Sequence, residues 1–230
     1  MNSKGFIDYI HINCHIPKSK ITYLPNGARI HERSLLSKKK FKKKVVYAGN
    51  IGLAQDVELL MGLAKFLKKH EVNLDIIGYG MKKNDLLQYT KEEQLNNVRF
   101  ISPKTRHDCL KEISKYQVAV ATLNDNEVFK TVLPGKIIDY MTCAVPIVAA
   151  VSGYSQKIIQ QEEVGLVLDS HDPEDMANEI VRLLKDTSLR NKLAENCISC
   201  IEREFLWEKK FCPSRRINSK AGRKEKLERK

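Results

Sequence analysis

Residues Leu133–Val148, LPGKIIDYMTCAVPIV, gather the most suggestive chemistry in this chain. Pro134 is placed for the first turn of a helix, where the N–H that proline lacks would have no intrahelical partner. The unpaired amides of such a turn, with the helix dipole behind them, attract an anion. Lys136 adds a point charge at the same end, and Asp139 follows one turn later on roughly the same face. A cation beside free amides, with a hydroxyl-binding carboxylate one turn away, suits a diphosphate joined to a ribose. An ordinary helix of an α/β unit carrying a surface ion pair accounts for the same residues, so both readings stand at this point.

Glycine-bearing turns give the first reading a possible pocket. Gly49-Asn50-Ile51-Gly52 follows one apolar run, Gly78-Tyr79-Gly80 follows a second, and Ser102 follows a third. Glycine there lets the backbone approach a bulky anion or sugar without a Cβ in the way. Neither turn is a GxGxxG fingerprint or a P-loop, so each taken singly reads first as a tight strand-to-helix connection. A shared pocket gains weight only from the strand ends at Gly49, Gly78 and Ser102 together. Metal and nucleophile signals are poor. His11-Ile12-Asn13-Cys14-His15 and Cys197-x-x-Cys200 each lack a second set of ligands, and no GxSxG elbow is present.

These residues need a scaffold, and the chain describes one from Val45 onward. Apolar runs at Val45–Ala48, Leu74–Ile77, Val98–Ile101, Val118–Leu123, Val145–Ala150 and Leu166–Leu168 read as strands. Helix-period segments lie between them, such as Ala54–Lys69, where Val57, Leu60, Ala64 and Leu67 recur at three- and four-residue steps. Strands apolar throughout, separated by helices, imply a parallel sheet covered on both faces. The expected fold is α/β: a single Rossmann-like, doubly wound parallel sheet with C-terminal helices. Asp172-Pro173-Glu174 starts one of those helices, and another runs from Ser188 to Phe205. Residues 1–44 read as a linker or the remnant of a preceding domain, 45–205 as the nucleotide-binding domain, and 206–230 as a basic, frayed tail.

The formal charge of +12 is unevenly placed. Lys38–Lys44, KKKFKKK, contributes +6, and residues 209–230 contribute +8, so −2 remains for everything else. A nearly neutral body argues against nucleic acid as a partner. The two basic segments are either merely solvated or make weak contact with an anionic membrane surface. No run approaches the roughly 20 apolar residues of a membrane span. The first residues lack the apolar core of a signal peptide, so the expectation is a cytoplasmic chain, peripheral at most at the inner face of the plasma membrane. The six cysteines then read as reduced thiols.

Several segments occur together in a recognisable order: PNGA at 25–28, VVYAGNIGLAQDVELL at 45–60, IIGYG at 76–80, NVRFIS at 97–102 and FKTVLPGKIIDYM at 129–141. VPIVAAVSG, GLVLDSHDPEDMANEIVRLLKD and EREFLWEKK follow. The set resembles the C-terminal, donor-binding half of a family-4 (group 1) glycosyltransferase of the GT-B fold, of the bacterial surface-polysaccharide type. That resemblance implies a UDP-linked sugar donor, retaining transfer to a surface-polysaccharide or lipid-linked acceptor, and no metal or other cofactor. By carry-over, Asp139 holds the ribose hydroxyls. Lys136 and the amides near Val132, Leu133 and Gly135 neutralise the leaving diphosphate. Gly49, Asn50 and Gly52 lie near the phosphates, and Gly78, Gly80, Ser102 and Lys104 flank the base.

The chain also departs from the family pattern. The first glutamate of the family's paired motif falls on Thr131, and Asp139 is one methylene shorter than the usual second. Ala144-Val145 replaces a common Gly-Lys pair. The family's N-terminal acceptor domain has no counterpart here, so the resemblance implies a separate acceptor domain as partner. Without it, the chain equally reads as an inactive remnant that binds a nucleotide, a membrane surface or a protein.

Overall fold

The computed structural model describes residues 1–37 and 40–211, and of 210 and 211 only the backbone. Six strands, β1 Lys44–Asn50, β2 Asn73–Tyr79, β3 Val98–Ile101, β4 Val118–Thr122, β5 Ile147–Ala150 and β6 Gly165–Val167, form one sheet. Their order is β3-β2-β1-β4-β5-β6, and every pairing is parallel. This is the doubly wound arrangement expected from the apolar runs: β4 and β5 are buried along their whole length, and the charges in β2 and β3, Asp75 and Arg99, pair with each other. The order reverses between β1 and β4, the place where such sheets open a crevice at their carboxyl ends.

Alternate side chains feed two cores. Val46 and Ala48 of β1 join the cluster containing Leu110, Ile137, Tyr140, Ile159 and Cys197, whereas Val45 and Tyr47 join that of Leu60, Leu63, Leu86 and Met176. The first layer is built by α4 Arg106–Ile113, α5 Gly135–Thr142, α6 Gly153–Gln161 and most of α8 Thr187–Cys200. The second is built by α2 Val57–Lys69, α3 Lys83–Glu92 and α7 Pro173–Lys185. α8 continues through a π-helical turn, Ile201–Phe205, instead of running as one α-helix to Phe205.

Strands β1 and β4 pair only at Val45–Val118 and Val46–Ala119 before they diverge. The buried Tyr140 hydroxyl fills the wedge: it accepts from the Ala48 N–H at 2.8 Å and faces the Val120 carbonyl at 3.0 Å. Backbone groups left without a partner strand are satisfied by one side chain of α5. That bond fixes where the amino end of α5 emerges.

The flanking segments carry more structure than expected. Residues 1–44 include a helix, α1 Lys4–Cys14, and a 3₁₀ turn at Ile30–Leu35. The Ser3 hydroxyl donates to the Thr131 carbonyl, and Ala28 and Glu32 are buried. Nothing in the periodicity announced α1, because none of its residues is buried. Leu206, expected in the tail, is buried and bridges to Ala28, and α9 Trp207–Phe211 follows. Residues 212–230, with most of the expected basic tail, lie outside the described residues, as do Lys38 and Lys39. Within the junction, the Lys40 ammonium donates to the Ser114 carbonyl at 2.5 Å, and Lys43 pairs with Glu71 at 2.8 Å. These two lysines are engaged by the fold itself. No helix among the described residues is long and apolar enough to cross a membrane.

Candidate functional site

Gly49, the residue before the last of β1, has φ +139, a backbone conformation that side chains rarely adopt. Its missing side chain has a second consequence. A Cβ at Gly49 would lie 3.1 Å from Lys136 Cε, so the lysine passes over the strand end in the space the glycine leaves. Lys136 thereby crosses from the α5 layer to the opposite face and donates to the Tyr47 hydroxyl at 2.6 Å, its nitrogen 4.1 Å from the ring centroid. Tyr47 in turn donates to the Asn50 carbonyl at 2.6 Å. The phenol is neutral, since burial raises its pKa. Among the described residues no carboxylate lies within ion-pairing distance of Lys136. Burial pulls its ammonium down from the ordinary 10.5 to about 7.

The two glycine turns touch directly. The Ile51 N–H donates to the Tyr79 carbonyl at 2.7 Å, and the Lys82 N–H to the Ile51 carbonyl at 3.0 Å. A Cβ at Gly78 would collide with the Gly49 carbonyl, and one at Gly80 with the Ile51 carbonyl. Asn50 folds over both Gly52 and Gly80. Gly49, Asn50, Gly52, Gly78, Gly80 and Lys136 therefore form one cluster at the switch point. Ser102 and Lys104 lie in the exposed turn between β3 and α4; the Ile77–Ile101 pairing sets Ser102 level with Gly78.

The amino end of α5 differs from expectation in one respect. Pro134 is the residue before the helix, with ψ 141, and not its first helical residue; Gly135 begins the helix. No side chain caps that end. The Val132 N–H donates to the Phe129 carbonyl, its carbonyl accepts from Ser155, and Leu133 is buried in the core. The Thr131 hydroxyl donates back to the Val128 carbonyl. Thus Val132 and Thr131 shape the turn, and the amides of Gly135 and Lys136 open the helix.

Asp139 faces a second set of partners. Its Oδ1 accepts from Arg106 Nη1 at 2.6 Å. A cavity of about 390 Å³ adjoins it, lined by Asn26, Gly27, Arg29, Arg106, Ile138 and Trp207 among others. Burial pushes the Asp139 carboxyl up, and Arg106 opposes this in part. Lys136 and Asp139 thus lie one turn apart on α5 but have different neighbours: one serves the glycine cluster, the other this cavity. Tyr47, Arg106 and Glu32 were not legible as site residues. Tyr47 sits inside an apolar strand run, and the two charged residues act across distant sequence positions.

The model of the family described as "Glycosyl transferases group 1" matches residues 29–199. The chain belongs to this family. It is 27% identical over 211 residues to the D-inositol 3-phosphate glycosyltransferase of Corynebacterium kroppenstedtii, covering 86% of this chain and 45% of that protein. The chain spans less than half the length of such curated relatives. Among solved structures it is similar to Anabaena HepE in complex with UDP-glucose, with a TM-score of 0.71 and 19% identity over 89% of this chain and 58% of that one. It is also similar to the C-terminal domain of the group 1 protein LpcC from Francisella tularensis, with a TM-score of 0.60 and 18% identity, covering 78% of this chain and 94% of that one. The fold is therefore that of a Rossmann-like GT-B domain. Among the described residues no cluster of three or more His, Cys, Asp or Glu could hold a metal ion.

Proposed function

We propose that the chain is the donor-binding half of a retaining family-4 glycosyltransferase. In this reading it holds a UDP-sugar at the switch point, for transfer to a surface-polysaccharide or lipid-linked acceptor carried by a separate domain. The observation behind it is Lys136: a half-buried cation with no carboxylate partner among the described residues, laid over Gly49 beside the uncapped end of α5. Burying a charge without a counterion is unfavourable, and a dianionic ligand relieves it. Glycosyl transfer builds negative charge on the leaving diphosphate, and a preorganised ammonium with helix amides stabilises that charge. These groups supply the positive charge without a metal. Asp139 holds the ribose hydroxyls, and Gly78, Gly80, Ser102 and Lys104 border the base. The UDP-glucose bound by HepE supports the choice of donor, and the similar fold of WaaG, a glycosyltransferase involved in lipopolysaccharide biosynthesis, supports the acceptor class.

Calorimetric titration with UDP and with uridine tests this. UDP is expected to saturate, and Lys136→Ala to weaken it by roughly thirtyfold or more, the loss of a charged hydrogen bond, while uridine changes little. No saturable UDP binding up to millimolar concentration overturns the reading. A second reading, a nucleotide-binding module without transfer activity, is favoured by Thr131, whose hydroxyl turns back on Val128 where the family carries a carboxylate. Both readings expect UDP binding. Transfer or hydrolysis of a UDP-sugar, with an acceptor domain supplied, separates them.

A further inference from the structure

Arg106 begins α4, and its guanidinium joins three segments of the chain. Nε donates to Glu32 Oε1 at 2.7 Å, Nη2 to Glu32 Oε2 at 3.2 Å and to the Gly27 carbonyl at 3.2 Å, and Nη1 to Asp139 Oδ1 at 2.6 Å. Glu32 is itself fixed: it is 5% exposed and its Oε2 accepts the Arg29 N–H at 2.9 Å. A planar fork is thus seated on a buried carboxylate on one side and touches a second carboxylate on the other. Among the described residues Asp139 Oδ2 makes no hydrogen bond, and Asp139 lines the 390 Å³ cavity whose other walls are Asn26, Gly27 and Trp207. One guanidinium therefore sets both the carboxylate and the opposite wall.

We propose that Arg106 is the positioning residue for Asp139: braced by Glu32, it holds one carboxylate oxygen and turns the other into the cavity as the acceptor for ribose hydroxyls. This rests on the donor-site reading above. Arg106 also favours the ionised form of Asp139. Burial pushes that carboxyl up and Glu32 adds to the rise, with Arg106 the opposing influence. The other titratable groups facing Asp139 are Cys109 of α4, Tyr140 of α5 and Cys143 just after it, all of which burial keeps neutral. Glu32 carries its charge: burial raises its carboxyl, but the bonds from Arg106 and the Arg29 amide bring it below its ordinary value.

The test compares UDP with 2′,3′-dideoxy-UDP by calorimetry from pH 6 to 8. The two ligands share the diphosphate, so titration of Lys136 and of the phosphates cancels in the affinity ratio. The wild-type chain is expected to prefer UDP by roughly tenfold or more, the value of a hydrogen bond to a charged acceptor. Arg106→Gln should bring the ratio towards one, with the larger loss at the acid end of the range, because the carboxyl loses the partner that opposes its rise. Arg106→Lys keeps the charge but loses the fork, so the ratio should fall with no added pH dependence. An unchanged ratio and pH profile in Arg106→Gln overturns the proposal. Should that variant unfold, Glu32→Gln removes the brace instead, and an unchanged ratio there overturns it equally. A wild-type chain that binds UDP without discriminating the dideoxy analogue also overturns it. One that binds no UDP at all overturns the donor-site reading beneath it.

Discussion

If the chain binds UDP as proposed, the ammonium of Lys136, depressed to about 7, makes that binding a proton-linked event with a definite sign. A unit negative charge about 4 Å away stabilises an ammonium by about 4 kcal/mol at an effective dielectric of 20. At about 1.36 kcal/mol per pH unit, that returns its pKa to about 10 in the complex. The free site is then half protonated at pH 7 and about 1% protonated at pH 9, while the complex stays protonated throughout. Affinity for UDP is expected to fall about fiftyfold from pH 7 to 9, and binding at pH 8 to take up about 0.9 proton. The diphosphate is already ionised over most of this range, since phosphate second ionisations lie near about 6. Calorimetry in buffers of different ionisation enthalpy reads both quantities, and uridine, lacking phosphate, should show neither. Lys136→Met should bind UDP more weakly and with a flat profile. Affinity independent of pH between 7 and 9, with no proton uptake, would refute the reasoning.

The same residue links pH to stability. Its folded pKa lies below the unfolded value of 10.5, so the unfolded chain holds more protons between about 7 and 10.5. The destabilisation is complete below pH 7 and disappears as the pH rises through that window. Its ceiling, from the drop of 10.5 to about 7, is on the order of 5 kcal/mol. Lys136→Met forfeits the Tyr47 hydrogen bond and ring contact, yet should still raise stability at pH 6–7 by roughly 2 kcal/mol. A variant less stable than wild type at pH 6 would refute this half.

Three further outcomes are expected from urea or thermal unfolding. Tyr140→Phe leaves the Ala48 N–H at the parting of β1 and β4 without its acceptor and should cost about 1–3 kcal/mol. Ala144 holds φ +51 at the end of α5, where its N–H bonds Met141 and that of Val145 bonds Tyr140, a turn that favours glycine. Ala144→Gly should therefore stabilise by about 1 kcal/mol, or about 2–4 °C in Tm. Gly78→Ala drives a Cβ into the Gly49 carbonyl, so it should destabilise by about 1–3 kcal/mol and weaken UDP binding by displacing the glycine turn.

What could be read from the residues divides along physical lines. The strands were legible because a sheet covered on both faces favours largely apolar runs, whose two charges here, Asp75 and Arg99, pair with each other, and each such run became a strand. Lys136 and the glycine turns were legible as a group because strand ends and helix starts converge at the switch point in any sheet of this order. Arg106 was not, since its partners Glu32 and Asp139 lie 74 and 33 residues away, and no local pattern encodes such a pairing. Pro134 shows a subtler limit. Proline fixes φ near −65° but leaves ψ open, so the same residue serves just inside a helix or just before it, and here ψ 141 puts it before. Tyr47 shows another: an apolar strand run hides the one hydroxyl that meets Lys136. Once that contact is known, the glycine at position 49 acquires a reason beyond its turn. A side chain there would crowd the gap through which α5 delivers its charge from one face of the sheet to the other, its Cβ 3.1 Å from Lys136 Cε. The cation therefore depends on the glycine: the lysine reaches Tyr47 through the space the glycine leaves.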